Sequence, residues 1–192
     1  THINAEPNSY APTVLLPGDP LRAQYIARKF FLNSQQVHRV RGAAGYTGVT
    51  PEGRPISVQP TNMGMPTVSI YVNELLANFG VKRLIRVGTC GSFQEDLPLG
   101  SLILAQGACS DSGMNIPRFP PGGTFAPVAN WRLLSQAYQM AVAMSLKVAV
   151  GNILSTDTFY QENPDAWKTW AKYGVLGVEM ESAELYTLAA KY

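Results

Sequence analysis

Leu84-Ile85-Arg86-Val87-Gly88-Thr89-Cys90-Gly91-Ser92 is the stretch whose reading decides the fold. It begins as a short apolar run, which predicts a strand buried in a sheet. It then breaks into Gly-Thr-Cys-Gly, a turn whose glycines let backbone approach a ligand closely. Arg86 lies inside the apolar run, where a charge is costly without a partner. A guanidinium at a strand end, beside a hydroxyl and several backbone N–H groups, suits a small oxyanion. The same residues also fit an arginine paired with a structural carboxylate beside an ordinary turn. On this stretch alone both readings stand.

The segments around it repeat one style. Val14-Leu15-Leu16 is a short apolar run stopped by Pro17-Gly18-Asp19-Pro20. Asp19 as N-cap and Pro20 in the first turn predict a helix over about 21–29. Arg22 falls in its first turn, unfavourable against the helix dipole unless the arginine shares an anion with that helix end. Residues 45–50 and 56–59 flank Pro51-Glu52-Gly53-Arg54, a hairpin signal. Helical spacing over 67–79 is closed by Gly80. Strands are predicted at 102–105, 148–154 and 175–178, and helices at 131–144, 164–173 and 182–191. Residues 115–127, rich in Pro and Gly, read as a long surface loop.

Helices alternating with buried strands predict an α/β fold: a single domain, residues 1–192, with one mixed, mostly parallel central sheet flanked by helices. Ligands of such folds gather at the carboxyl ends of strands. Gly18, residues 86–91, 155–159 and 178–181 all follow strands and are expected to line one crevice.

Composition narrows the classes of function. The 192 residues are 46% hydrophobic and 15% charged, which fits a compact chain. A net charge of +2 gives no reason to expect nucleic acid or membrane as partner. No apolar run approaches the roughly 18 residues of a membrane span. The first residues show no signal pattern. Two cysteines, Cys90 and Cys109, form no disulfide framework, so a cytoplasmic location is expected. His2 and His38 lie far apart, and no metal site is expected.

The chemistry at the strand ends is specific. Gly18, Arg22, Arg86 and Thr89 offer N–H groups, guanidiniums and a hydroxyl suited to phosphate. Glu179 and Glu181 supply carboxylates, one of which can accept two hydrogen bonds from a vicinal diol such as that of ribose. Glu181 is equally an ordinary acidic residue opening a helix. Met63, Met180 and Phe159 supply apolar faces for a base or sugar, or plain core. Phosphate, ribose and base together imply nucleoside phosphorolysis.

Here a resemblance enters. The opening His2-Ile3-Asn4-Ala5, Leu16-Pro17-Gly18-Asp19-Pro20-Leu21-Arg22, Arg41-Gly42, residues 86–91 and Gly177-Val178-Glu179-Met180-Glu181 closely resemble the bacterial high-molecular-mass purine nucleoside phosphorylases of the nucleoside phosphorylase-I superfamily. The likeness implies reversible phosphorolysis of purine (deoxy)ribonucleosides to free base and (deoxy)ribose 1-phosphate. Inorganic phosphate would be the co-substrate, with no cofactor. It implies a phosphate site of Gly18, Arg22, Arg86 and Thr89, with Arg86 activating phosphate. Arg41 would reach a neighbouring subunit's phosphate, and His2 a neighbour's ribose 5′-hydroxyl. Met180 and Glu181 would hold ribose, with Glu179 beside them and Met63 lining the sugar pocket. Phe159 and Val178 would wall the base, near Cys90 and Gly91. Sites shared in this way imply a homo-oligomer, typically a hexamer built as a trimer of dimers.

One departure stands out. The family's general acid is an aspartate in a Ser-Asp pair on a strand after the helix that starts near Glu181. No such aspartate follows that helix in these 192 residues, and Asp157 is not taken as its substitute. The fold's last strand and helix are therefore expected to be absent. The alternatives are a uridine phosphorylase or a non-catalytic nucleoside-binding protein. Uridine phosphorylases place a Gln and an Arg for uracil after the Phe-Tyr pair. Here Phe159-Tyr160 runs into Gln161-Glu162-Asn163-Pro164-Asp165 with no nearby Arg. A nucleosidase using water would not need Arg22, Arg41 and Arg86 together. No GxGxxG follows the first strand, which weakens a dinucleotide-binding reading.

Overall fold

The structure is a computed structural model that describes residues 2–192. It contains two compact units, residues 2–88 with Tyr192, and residues 89–191.

In the first unit, β1 (Thr13–Leu16) alternates half-buried and buried positions, as a strand period of two requires. It feeds α1 (Pro20–Phe30), whose Asp19 cap accepts the Leu21 N–H at 2.8 Å. Ala23, Ile26 and Ala27 on the buried face of α1 pack with Phe31 and Val58. There follow β2 (Leu32–His38), the hairpin β3 (Gly45–Val49) and β4 (Pro55–Val58), α2 (Met65–Asn78) and β5 (Arg83–Arg86). The five-stranded order is β2-β3-β4-β1-β5. β1 is parallel to both β4 and β5, and Leu16 lies opposite Arg86, so the ends of β1 and β5 are level. Gly80, at φ 66°, follows the end of α2 as expected.

The amino-terminal segment is tied down by Glu74 of α2. Both carboxylate oxygens accept the His2 N–H, at 2.8 and 2.9 Å, and Oε2 accepts the Ile3 N–H at 2.7 Å. Burial pushes this carboxyl up, but these donors and the His2 ring bring it below its ordinary value. His38 holds the next residue: its Nδ1 accepts the Asn4 N–H at 3.0 Å and, at 3.5 Å, the Val40 N–H. An accepting Nδ1 requires the neutral ring, and burial lowers the proton affinity of His38. The folded state therefore disfavours the proton that the unfolded chain takes up near the ordinary value of 6.5. Stability is then full above about 6.5 and declines as pH falls below it. Melting temperatures between about pH 7.5 and 5.5 should fall toward acid. The slope should be shallower in His38→Gln, and an identical slope would contradict the assignment.

In the second unit, β6 (Gly91–Ser92), β7 (Leu102–Ser110), β8 (Val148–Ser155) and β9 (Gly177–Glu179) form a four-stranded sheet ordered β6-β9-β8-β7. α3 (Trp131–Ala143), α4 (Ala166–Lys172) and α5 (Ser182–Lys191) accompany it. β7–β8 and β8–β9 are parallel, while β6–β9 is antiparallel.

The α/β class with mixed pairing and flanking helices is as expected, four of seven strand pairings being parallel. The strands are divided between two ladders rather than written into one. β2 was not expected, because its sequence LNSQQVH is largely polar. It is a solvent-facing edge strand paired only with β3. β7 runs past the predicted end at Ala105, and a register shift between Ala105 and Gly107 leaves Gln106 out of the ladder. The loop over 115–127 holds only a short 3-10 turn, Ile116–Arg118. No helix of the described residues is long and apolar enough to cross a membrane.

Candidate active site

The first unit brings Gly18, Arg22 and Arg86 together. Because Leu16 and Arg86 are in register, the turn after β1 meets the turn after β5. A Cβ on Gly18 would stand 2.9 Å from the Asn62 carbonyl oxygen and 3.8 Å from Arg86 Nη2. On the other side, a Cβ on Gly88 would stand 3.3 to 3.5 Å from the Arg86 guanidinium. The guanidinium thus runs between two residues without side chains, and its Nη1 is buried. Arg22 joins it by donating from Nη1 to the Val87 carbonyl at 3.4 Å. Two cations and the backbone of two turns in one place have the chemistry to hold an oxyanion. Gly18→Ala has no open space, since the atom met is backbone. The substitution is expected to cost about 1–3 kcal/mol of stability and to raise the KM for phosphate. Thermal denaturation and phosphate titration check both, and no change in either would contradict the close approach.

The residues expected to serve a neighbouring subunit lie along α2. His2 meets Glu74 through backbone and ring, Nδ1 standing 3.0 Å from Oε1. Arg41 lies in a 3-10 turn at φ 55°, in the left-handed region. Its charge is close to Tyr71, whose phenol burial pushes up while Arg41 opposes the shift. Tyr71 and Glu74, three residues apart, share a helix face. Met63 is exposed in the loop before α2.

The second unit carries Thr89, Cys90, Gly91, Phe159, Val178, Glu179, Met180 and Glu181. Gly91 pairs with Val178 across β6 and β9. The thiol of Cys90 is pushed up by burial and then by the Glu179 charge, so it stays protonated. Glu179 is committed to the start of α5. Its oxygens accept the Glu181 N–H at 2.9 Å, the Ser182 N–H at 2.9 and 3.0 Å, and the Ser155 hydroxyl. Ser155 Oγ in turn accepts the Ala183 N–H at 2.9 Å. The Ser182 and Ala183 N–H groups, the first two of α5, are thereby satisfied by protein side chains. Glu181 is 3% exposed, and its Oε2 accepts the Met180 N–H at 3.2 Å. Tyr186, one turn along α5, donates to the Ala105 carbonyl at 2.6 Å. Burial, then the Glu179 charge, pushes its phenol up to about 12.

Phe159 is 74% exposed and stacks edge-on with Tyr160, in the loop that follows Ser155. That loop is tied back by Asp111, which accepts from Thr156 Oγ1 at 2.7 Å and from the Asp157 N–H at 3.3 Å. Asp157 is exposed. The sequence reading did not single out Asp111, Arg118 or Glu184. Arg118 grips Glu184 with two bonds, Nη2 to Oε1 at 2.7 Å and Nη1 to Oε2 at 2.8 Å. Among the described residues no cluster of three His, Cys, Asp or Glu is arranged to hold a metal ion.

The chain is a member of the Phosphorylase superfamily, whose sequence profile matches residues 12–192. It is 55% identical over 192 residues to the purine nucleoside phosphorylase DeoD-type of Clostridium novyi, covering all of this chain and 82% of that protein. It is 53% identical over 191 residues to the protein of the same name from Thermoanaerobacter sp. strain X514, covering 81% of it. The uridine phosphorylase of Vibrio fischeri ES114, a crystal structure, superimposes with a TM-score of 0.89 at 30% identity, over 96% of this chain and 75% of that one.

Proposed function

We infer that the chain is a purine nucleoside phosphorylase, a pentosyltransferase that cleaves purine nucleosides with inorganic phosphate. The observation that carries this reading is whole-chain identity of 53–55% to purine nucleoside phosphorylases, against 30% to a uridine phosphorylase. The lack of an arginine soon after Phe159-Tyr160 agrees with the purine choice.

In this reading Gly18, Arg22 and Arg86 take the phosphate, with Thr89 adding a hydroxyl. Glu181 accepts the 2′- and 3′-hydroxyls of ribose, and Glu179 braces the turn that presents it. Met63 and Met180 border the sugar; Phe159, Val178, Cys90 and Gly91 border the base. As the glycosidic bond breaks, the ribose becomes cationic. The arginine-held phosphate stabilises that cation, and its oxygen then bonds to the anomeric carbon. The electron pair of the broken bond leaves with the purine, which departs more readily once protonated at N7. His2 and Arg41 act toward a second copy of the chain, which makes the protein a homo-oligomer, a hexamer in this proposal. No cofactor takes part, and the location is cytoplasmic.

Initial rates with inosine, adenosine and uridine at fixed phosphate test the reading. Purine nucleosides cleaved well ahead of uridine are the expected result. Preference for uridine would overturn it.

A further inference from the structure

We propose that Arg118 is a positioning residue for nucleoside recognition, holding the first turn of α5 so that Glu181 meets the ribose hydroxyls. The proposal rests on the assignment of Glu181 as the carboxylate for the diol, and goes beyond it by naming what keeps that carboxylate in place.

Three carboxylates crowd one strand-to-helix turn. Glu179, Glu181 and Glu184 are 8%, 3% and 0% exposed. Glu179 is spent on backbone N–H groups and on Ser155. Glu184 lies in the first turn of α5, three residues after Glu181, which immediately precedes that helix. A fully buried carboxylate needs a partner, and like charges gathered at one buried turn repel one another. Arg118 answers both needs with a two-pronged, charge-assisted pair to Glu184. Its own side chain is 31% exposed, so the cation keeps contact with water while the anion is covered. Without Arg118 the buried Glu184 carboxylate would lose its charged partner, and the structure would have to give way around it at the turn that carries Glu181.

Arg118 also fixes the far end of a loop. Asp111, at the near end, ties the loop to Thr156 and Asp157, just before Phe159. The segment 111–118 is thus clamped at one end to the loop carrying the candidate base contact and at the other to the helix following the candidate ribose contact. Arg118, Glu184, Asp111 and Thr156 all belong to the second unit, while Gly18, Arg22 and Arg86 belong to the first, so the KM for phosphate serves as the control.

The test compares kcat/KM for inosine and 2′,3′-dideoxyinosine, which differ only in the hydroxyls assigned to Glu181. Arg118→Met should shrink the preference for inosine by about tenfold, with the KM for phosphate unchanged. Arg118→Lys should keep most of the preference. Arg118→Met combined with Glu184→Gln should recover much of it, because no bare carboxylate is left; this pair also serves if the single variant folds poorly. An equal loss for both substrates in every Arg118 variant would make the pair purely structural and overturn the proposal. A wild-type protein with no preference for inosine would instead overturn the Glu181 assignment beneath it.

Discussion

Arg86→Ala is expected to lower phosphate-dependent purine release by about 10²–10³-fold, the range seen when a preorganised transition-state donor is removed. Three observations set that size. The guanidinium threads between Gly18 and Gly88, where no side chain competes for the space. Its Nη1 is buried, so its charge acts in a weakly screened place. The register of β1 against β5 brings the Gly18 turn to the same end of the sheet. Arg22 stays in place in the variant through Val87, so some phosphate binding should survive. The measurement is steady-state kinetics over phosphate, with nucleoside affinity determined separately. The loss should fall on phosphate use while nucleoside affinity is largely kept. Unchanged turnover would remove Arg86 from the phosphate site.

Glu181→Gln should produce the other large effect, a fall of about 10²-fold in kcat/KM for ribonucleosides. The amide is nearly isosteric and can still accept the Met180 N–H, so the fold should be little disturbed. What is lost is a charged acceptor for two hydroxyls at once. For 2′,3′-dideoxynucleosides the same variant should lose far less. Glu179 has the opposite profile, because its carboxylate caps α5 and accepts from Ser155, so its removal should show first as lost stability. A Glu181→Gln protein equally impaired on ribo- and dideoxy-substrates would leave the diol without its acceptor.

Much of this was legible in the sequence, for physical reasons. Pro17-Gly18-Asp19-Pro20 specifies a strand stop and a capped helix start by local chemistry alone, and Asp19 does cap α1. Gly80 and Gly174 end helices at φ 66° and 75°, conformations that suit glycine. Arg86 declared itself as a charge within an apolar run. What the sequence hid depends on tertiary partners. β2 is polar and takes its place from its ladder with β3. Glu179 and Glu181 look alike in sequence, and only the fold commits the first to backbone N–H groups. Arg118 and Glu184 are 66 residues apart, and neither spacing nor composition pairs them.

The central claim is that phosphate, and not water, takes the ribose from the purine. The direct measurement is purine release from inosine and adenosine by the purified protein, with phosphate supplied and then rigorously removed, while ribose 1-phosphate is assayed. Release that requires phosphate, with ribose 1-phosphate formed one for one with free base, is the predicted result. Release that continues without phosphate and yields free ribose would contradict it, as would nucleoside binding with no release in either condition.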